Sequence, residues 1–193
     1  ALGWYGRRVI GNAEVSVVLS YLINIEWIPR ALPRKVLSEA LPFDRPFFGE
    51  DAFEVRGVTE STVGAVLSIG EYPEGTEAGL MNAFLSAPFP LILSQSFNFL
   101  SKPVATELLG RTQRRMKNAG DFSKTQMEEI DDALDDLTSG RLVFGEHHLA
   151  LTILAKDSRS LKKNLSDAKA ELVDCNMIVS REDWAIESAF WSM

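Results

Sequence analysis

Between Val63 and Val179 the chain switches repeatedly between a strand's hydrophobic period and a helix's, and the order of those switches limits its fold more than composition does. Val63, Ala65, Leu67 and Ile69 alternate with residues turned the other way, the two-residue period of a half-buried strand. A turn-rich stretch, 72–79, then leads to a short helix over Leu80–Ser86. After Pro88 and Pro90, Leu91, Leu93, Phe97 and Phe99 take one side of a strand, while Ser94, Ser96 and Asn98 take the other. Helical spacing follows twice, at Ala105, Leu109, Thr112 and Met116 and again at Met127, Ile130, Leu134 and Leu137. The short turn between these helices makes them an antiparallel hairpin. His147, Leu149, Leu151 and Ile153 return to strand, Leu161, Leu165, Ala168 and Leu172 to helix, and Met177–Val179 to strand. This order is a split βαβ, so the expectation is an α+β fold with a four-stranded ferredoxin-like core and a helical hairpin inserted at about residues 102–139. Right-handed crossovers make the strands of each βαβ half parallel.

Residues 1–60 read as a wrapping segment ahead of this domain, 61–193. A helix over Ala13–Ile25 is followed by Pro29, Pro33, Pro42 and Pro46, which break the chain into short pieces. A strand follows at Ala52–Arg56. The hairpin has its own punctuation, with Gly120 closing the first helix and a capping set of Phe122, Ser123, Gln126 and Met127 opening the second. Its arms differ in charge: Lys102–Lys117 holds five basic residues and one acidic, Asp121–Asp136 seven acidic and one basic. The acids are the expected partners of Arg111, Arg114, Arg115 and Lys117.

A short strand turns into an aromatic-rich helix over Met177–Trp191. Ser180 is placed as N-cap, Asp183 as its capping-box partner, and Val179 with Trp184 as a hydrophobic staple. Trp184, Ala185, Ile186, Ala189, Phe190 and Trp191 spread over most of the helix circumference, which predicts packing on two sides. Such a helix either plugs its own core or connects to another domain. Trp184, Phe190 and Trp191 are the candidate interdomain contacts.

The net charge of −7 and pI near 4.9 argue against general affinity for nucleic acid or anionic lipid. A single cysteine, Cys175, excludes an internal disulfide and fits a reducing compartment. The apolar run Val15–Ile25, interrupted by Ser16, Ser20, Tyr21 and Asn24, is far short of the roughly 20 residues that span a bilayer. A first residue of Ala and a last element that is a helix suggest a piece of a longer protein. Ser123-Lys-Thr125 resembles the tail of a P-loop, but Asn118 and Ser123 stand where that motif requires glycine. His147 and His148 point to opposite faces of a strand and do not share a metal. Asp131, Asp132, Asp135 and Asp136 lack the alternation and glycine of a calcium loop. No serine, cysteine or lysine has a base at motif spacing, and no exposed aromatic pair of the RNA-binding type is legible on a strand. No catalytic residue, metal site or cofactor is therefore assigned to this chain.

Val179-Ser-Arg-Glu-Asp-Trp-Ala-Ile-Glu-Ser-Ala-Phe-Trp191 resembles the segment closing the N-terminal domain in the CagE/TrbE/VirB family, the cytoplasmic ATPases of type IV secretion and conjugation systems. Further blocks agree in order: Arg45-Pro-Phe-Phe-Gly-Glu50 with Glu54-Val-Arg-Gly57, Glu71-Tyr-Pro73, Ala87-Pro-Phe-Pro90, Ser94-Gln-Ser-Phe97 and Phe144-Gly-Glu-His-His-Leu149. Trp184 departs from the usual leucine. The resemblance implies a non-catalytic N-terminal domain that docks to inner-membrane subunits and joins a homo-oligomer, cytoplasmic and peripheral to the bacterial inner membrane. It also implies a RecA-like ATPase domain beyond residue 193, binding ATP and Mg²⁺ and energising pilus assembly and the transfer of DNA or protein. No direct nucleic-acid contact is expected of residues 1–193. The alternative from another class is a self-contained ferredoxin-like domain binding a small molecule or single-stranded nucleic acid.

Overall fold

A computed structural model describes residues 12–27, 36–57, 60–119 and 124–193; the features expected at Pro29, Pro33, Gly120, Phe122 and Ser123 lie outside them. In chain order the elements are α1 (Asn12–Asn24), α2 (Leu37–Ala40), β1 (Arg45–Phe48), β2 (Phe53–Arg56), β3 (Ser61–Glu71), a 3-10 helix (Asn82–Ser86), β4 (Leu91–Phe99), α3 (Lys102–Ala119), α4 (Lys124–Ser139), β5 (Gly145–Ala155), α5 (Ser158–Asp174), β6 (Ile178–Arg181) and α6 (Ile186–Trp191). The chain packs as two units, residues 1–94 with 149–193, and residues 95–148.

β3 and β5, eleven residues each, are the longest strands, and where half-burial was expected of them their buried stretches, Gly64–Leu67 and Leu149–Ala155, are continuous rather than alternating, so both faces are covered there. They pair antiparallel from Val63 opposite Ala155 to Ser68 opposite Ala150. β6 lies antiparallel on the other edge of β3, and β4 flanks β5, giving the order β6-β3-β5-β4. Leu154 N–H donates to Pro90 O and Leu100 N–H to Phe144 O, one register at both ends, so β4 is antiparallel to β5. β3 and β4 are thus parallel to each other with β5 between them, and β5 and β6 are parallel with β3 between them; the strands interleave in the expected order, but a 3-10 stretch and no α-helix links β3 to β4.

The α+β class expected from the sequence is what the chain adopts, but the sheet has six antiparallel strands where four were expected. β1, from the segment read as wrapping, pairs with β2, and β2 pairs with the first half of β3 along the edge that β6 takes further on. At the junction Arg181 bridges the two, its Nε–H donating to Asp51 O and its Nη1 meeting the Asp51 carboxylate, both at 2.8 Å. The short helix expected over Leu80–Ser86 is a single 3-10 stretch.

Within the first unit the sheet is covered on both faces. On one, Leu67, Leu151 and Ile153 pack against Leu161, Leu165, Ala168 and Leu172 of α5. On the other, Phe53, Val66 and Leu154 pack against Ile186 and Phe190 of α6, with Tyr21 and Ile25 alongside. α5 is fixed at both ends. Asp157 is its N-cap, accepting from Ser160 N–H at 2.8 Å. At the far end Asn176 takes φ 58°, its N–H donates to Val173 O, and Met177 N–H donates to Leu172 O, which together make a Schellman motif.

The run Val15–Ile25 is turned over relative to simple burial. Ser16, Ser20 and Asn24 are its buried residues, while Val15 and Val18 are exposed. Asn24 uses its whole amide, donating to Leu41 O at 2.8 Å and to Ser20 Oγ at 3.3 Å and accepting from Phe43 N–H and Asp44 N–H. It ties α1 to the approach to β1, an arrangement that a buried amide tolerates only when fully bonded.

In the second unit α3 and α4 form the antiparallel hairpin read from the sequence, tied by Gln113 to Asp131 at 2.6 Å and by Lys102 Nζ to Thr138 O. The expected charge pairing between the arms is absent among the described residues. Arg111 pairs with Glu107 on its own helix, and Asp135 and Asp136 pair with Arg141. An i,i+4 pair and a loop arginine reach their acids with less loss of side-chain freedom than a pair across the hairpin.

Candidate functional site

The candidate surface is built by the turn from β6 into α6. Ser180 is not an N-cap: it lies within β6, opposite Ser68 of β3, and Glu182 N–H continues that contact by donating to Val66 O at 2.9 Å. The bonds of strand pairing outweigh a single cap bond. The helix therefore starts at Ile186, and its N-cap residue Ala185 makes no side-chain cap. Asp183 instead accepts from Trp184 N–H through its own carboxylate.

The three candidate contacts end up in different places. Phe190 is 2% exposed and meets Phe53 edge-to-face at 4.9 Å and Phe48 at 5.4 Å. Its ring belongs to the core of this unit, and with Ile186 it locks α6 onto the sheet. Trp191 stands against Phe190 at 4.9 Å yet keeps half its surface in solvent. Trp184 is 98% exposed, and among the described residues no ring contact holds its indole. α6 thus plugs its own core through Ile186 and Phe190, while the indoles of Trp191, at its last residue, and of Trp184, in the turn before it, meet solvent.

A cleft of 390 Å³ opens beside Tyr21, Ile25, Phe89, Leu154 and Asn164. Of the side chains lining it, Asp157 is engaged as the α5 cap, and its bonds from Ser160 hold its carboxyl below the usual range. Cys175 donates to Leu80 O at 3.2 Å, and burial, then Glu171 and Asp174, push its thiol up, away from the thiolate a nucleophile needs. Among the described residues no group of three metal-binding side chains occurs, and no helix is long and apolar enough to cross a membrane.

One aromatic pair escaped the sequence reading. Phe97 and Phe99, expected on one side of a strand with Leu91 and Leu93 and not as an exposed pair, are 49% and 72% exposed, with ring centroids 4.8 Å apart. Gly145 is the signal that could have found them. A Cβ at that position would lie 2.3 Å from Phe97 Cζ, so the ring lies back across β5 over a glycine.

These features define a class: an α+β scaffold with solvent-facing aromatic side chains. The sequence profile of the CagE, TrbE, VirB family, component of type IV transporter system, matches residues 1–193, and the chain belongs to that family. It is 41% identical over 193 residues to the type IV secretion system protein virB4 of Bartonella henselae, covering 99% of this chain and 24% of the relative. Protein virB4 of Rhizobium radiobacter is 34% identical over 191 residues, again 99% of this chain and 24% of the relative. The type IV secretion system protein virB4 of Brucella melitensis is 28% identical over 173 residues, 90% and 21%. The chain spans about a quarter of the length of these curated relatives.

Proposed function

We propose that the chain is the non-catalytic N-terminal domain of a type IV secretion ATPase. On this reading it docks the protein to inner-membrane subunits at the cytoplasmic face and takes part in homo-oligomer assembly. A RecA-like domain beyond residue 193 binds ATP and Mg²⁺ and supplies the energy for pilus assembly and export of DNA or protein.

The observation that carries this reading is Trp184, 98% exposed two residues before a helix whose other face is locked into the core by Ile186 and Phe190. A solvent-facing indole on a rigid support is the side chain most enriched at binding hot spots. Covering its roughly 200 Å² would return on the order of 5 kcal/mol before the costs of association. The test is Trp184→Ser in the full-length protein. ATP turnover is expected to persist while recovery with the inner-membrane subunits and substrate transfer fall at least about tenfold, a loss in the hot-spot range. Docking and transfer at the level of the unaltered protein would overturn the assignment of this surface.

The exposed Phe97–Phe99 pair favours a second reading, a base-stacking module for single-stranded nucleic acid. Against it stand the net charge of −7 and the covering of both sheet faces in the first unit, which leaves no open platform there. Salt-dependent RNA binding at micromolar concentration in a fluorescence titration would restore it.

A further inference from the structure

β4 ends the sheet, and among the described residues no strand pairs with its outer edge. Its register against β5, fixed by the Leu154–Pro90 and Leu100–Phe144 bonds, makes the even-numbered residues of β4 the ones bonded to β5. The backbone N–H and C=O of the odd-numbered residues therefore point outward. Within the second unit these are Gln95, Phe97 and Phe99.

Natural sheets protect such an edge with charge, proline or a covering element. β4 has neither charge nor proline in Leu91–Phe99, in a chain that is 24% charged. Every residue from Gln95 to Phe99 is exposed, so side chains on both faces of this stretch remain uncovered. Gly145 lets Phe97 lie back over β5, and its ring does not fold across the edge.

A row of outward N–H and C=O groups is complemented by an extended chain. The absence of charge asks for an uncharged chain, and Phe97 and Phe99 ask for apolar side chains at its alternate positions. β4 is itself a strand of that chemistry. We propose that residues 95–99 pair antiparallel with the same residues of a second copy, about a two-fold axis at Phe97. Phe97 then lies opposite Phe97 and Gln95 opposite Phe99, gathering four phenyl rings on one face. This inference rests on the oligomer-assembly part of the proposed function and names one of its contacts.

The contact is weak in isolation. A strand pair of this length buries well under the roughly 1,200 Å² of a standard interface, and two copies each carrying −7 repel. Salt screens that repulsion and leaves the apolar edge intact, so association strengthens as ionic strength rises. A contact built on ion pairs would weaken instead.

The test is sedimentation velocity on the 193-residue chain, in a concentration series reaching on the order of 0.5 mM, at roughly 0.05 M and roughly 0.5 M NaCl. The unaltered chain is expected to form a reversible dimer, more at high salt. Gln95→Pro removes an outward N–H and leaves the bonds to β5 in place; Gln95→Lys adds a charge to the edge and keeps its backbone. Both are expected to weaken dimerisation at least about tenfold, with circular dichroism and melting unchanged for the lysine variant. A chain that stays monomeric throughout overturns the proposal, as does a Gln95→Lys protein that folds and dimerises like the unaltered one. Failure of the docking reading is seen separately, in full-length protein that does not recover with membrane subunits while its 193-residue chain still dimerises through β4.

Discussion

Gly64→Ala is a one-carbon change with a large expected effect. Gly64 sits opposite Phe53 in the β2–β3 ladder, and the Phe53 ring lies across it. A Cβ at position 64 would come within 2.3 Å of Phe53 Cζ and within 2.7 and 2.9 Å of Cε2 and Cε1. Separations this short require movement, and the ring has little room for it. Phe53 is 2% exposed and is held edge-on by Phe190, which is itself buried. Overpacking a filled core costs about 1–3 kcal/mol, and a clash with three ring atoms belongs at the upper end. Replacing glycine in a strand returns about 0.5–1 kcal/mol, leaving a net loss of about 2 kcal/mol. For a chain of this size that lowers the melting temperature by about 4–8 °C. Thermal unfolding of Gly64→Ala, Phe53→Leu and the double variant gives the coupling between the sites. The smaller leucine should absorb the added methyl, so the double variant should lose at least about 1 kcal/mol less than the two single losses combined. A Gly64→Ala protein that melts at or above the original temperature, or losses that simply add, would refute this account of the packing.

Other consequences are equally local. Asp157 caps α5 as a carboxylate with a lowered pKa, so its contribution is present above the usual aspartate range and lost as pH falls through the folded value; acid melting curves should flatten in Asp157→Asn, which keeps a cap but does not titrate. Asn176 holds φ 58° at the end of α5, so Asn176→Gly should stabilise by about 0.5 kcal/mol and Asn176→Val should destabilise, both read by urea unfolding. The raised Cys175 thiol predicts slower alkylation by iodoacetamide at pH 8 than a free cysteine peptide shows, and a rate that climbs only at more alkaline pH.

The sequence disclosed those parts of the fold whose period is set by burial on one face. Leu67, Leu151, Ile153 and the Leu161–Leu172 stripe all meet in a single core. What it concealed was decided by pairing across long distances. β1 is four residues long with no alternation strong enough to separate it from the prolines around it, and only its ladder with β2 makes it a strand. Ser180 has the local chemistry of a cap, yet β3 offers it backbone bonds that the local pattern does not reveal. α1 misleads in another way, because Ser16 and Ser20 face inward while Val15 and Val18 are exposed. In the candidate surface the aromatic residues were legible as aromatic, but their division between core and solvent was not. Phe190 and Trp191 are adjacent in sequence, and which of them turns inward depends on Phe48 and Phe53, well over a hundred residues earlier. Phe97 and Phe99 share the parity of the half-buried Leu91 and Leu93, so alternation alone put all four on one side and did not show where along the strand cover ends.

The most direct test of the central claim compares ATP turnover by the full-length protein with turnover by the purified 193-residue chain under the same conditions with Mg²⁺. The account predicts hydrolysis by the full-length protein and, for the chain alone, a rate indistinguishable from buffer. Steady turnover by the 193-residue chain at about 1 s⁻¹, an ordinary enzymatic rate, would contradict it.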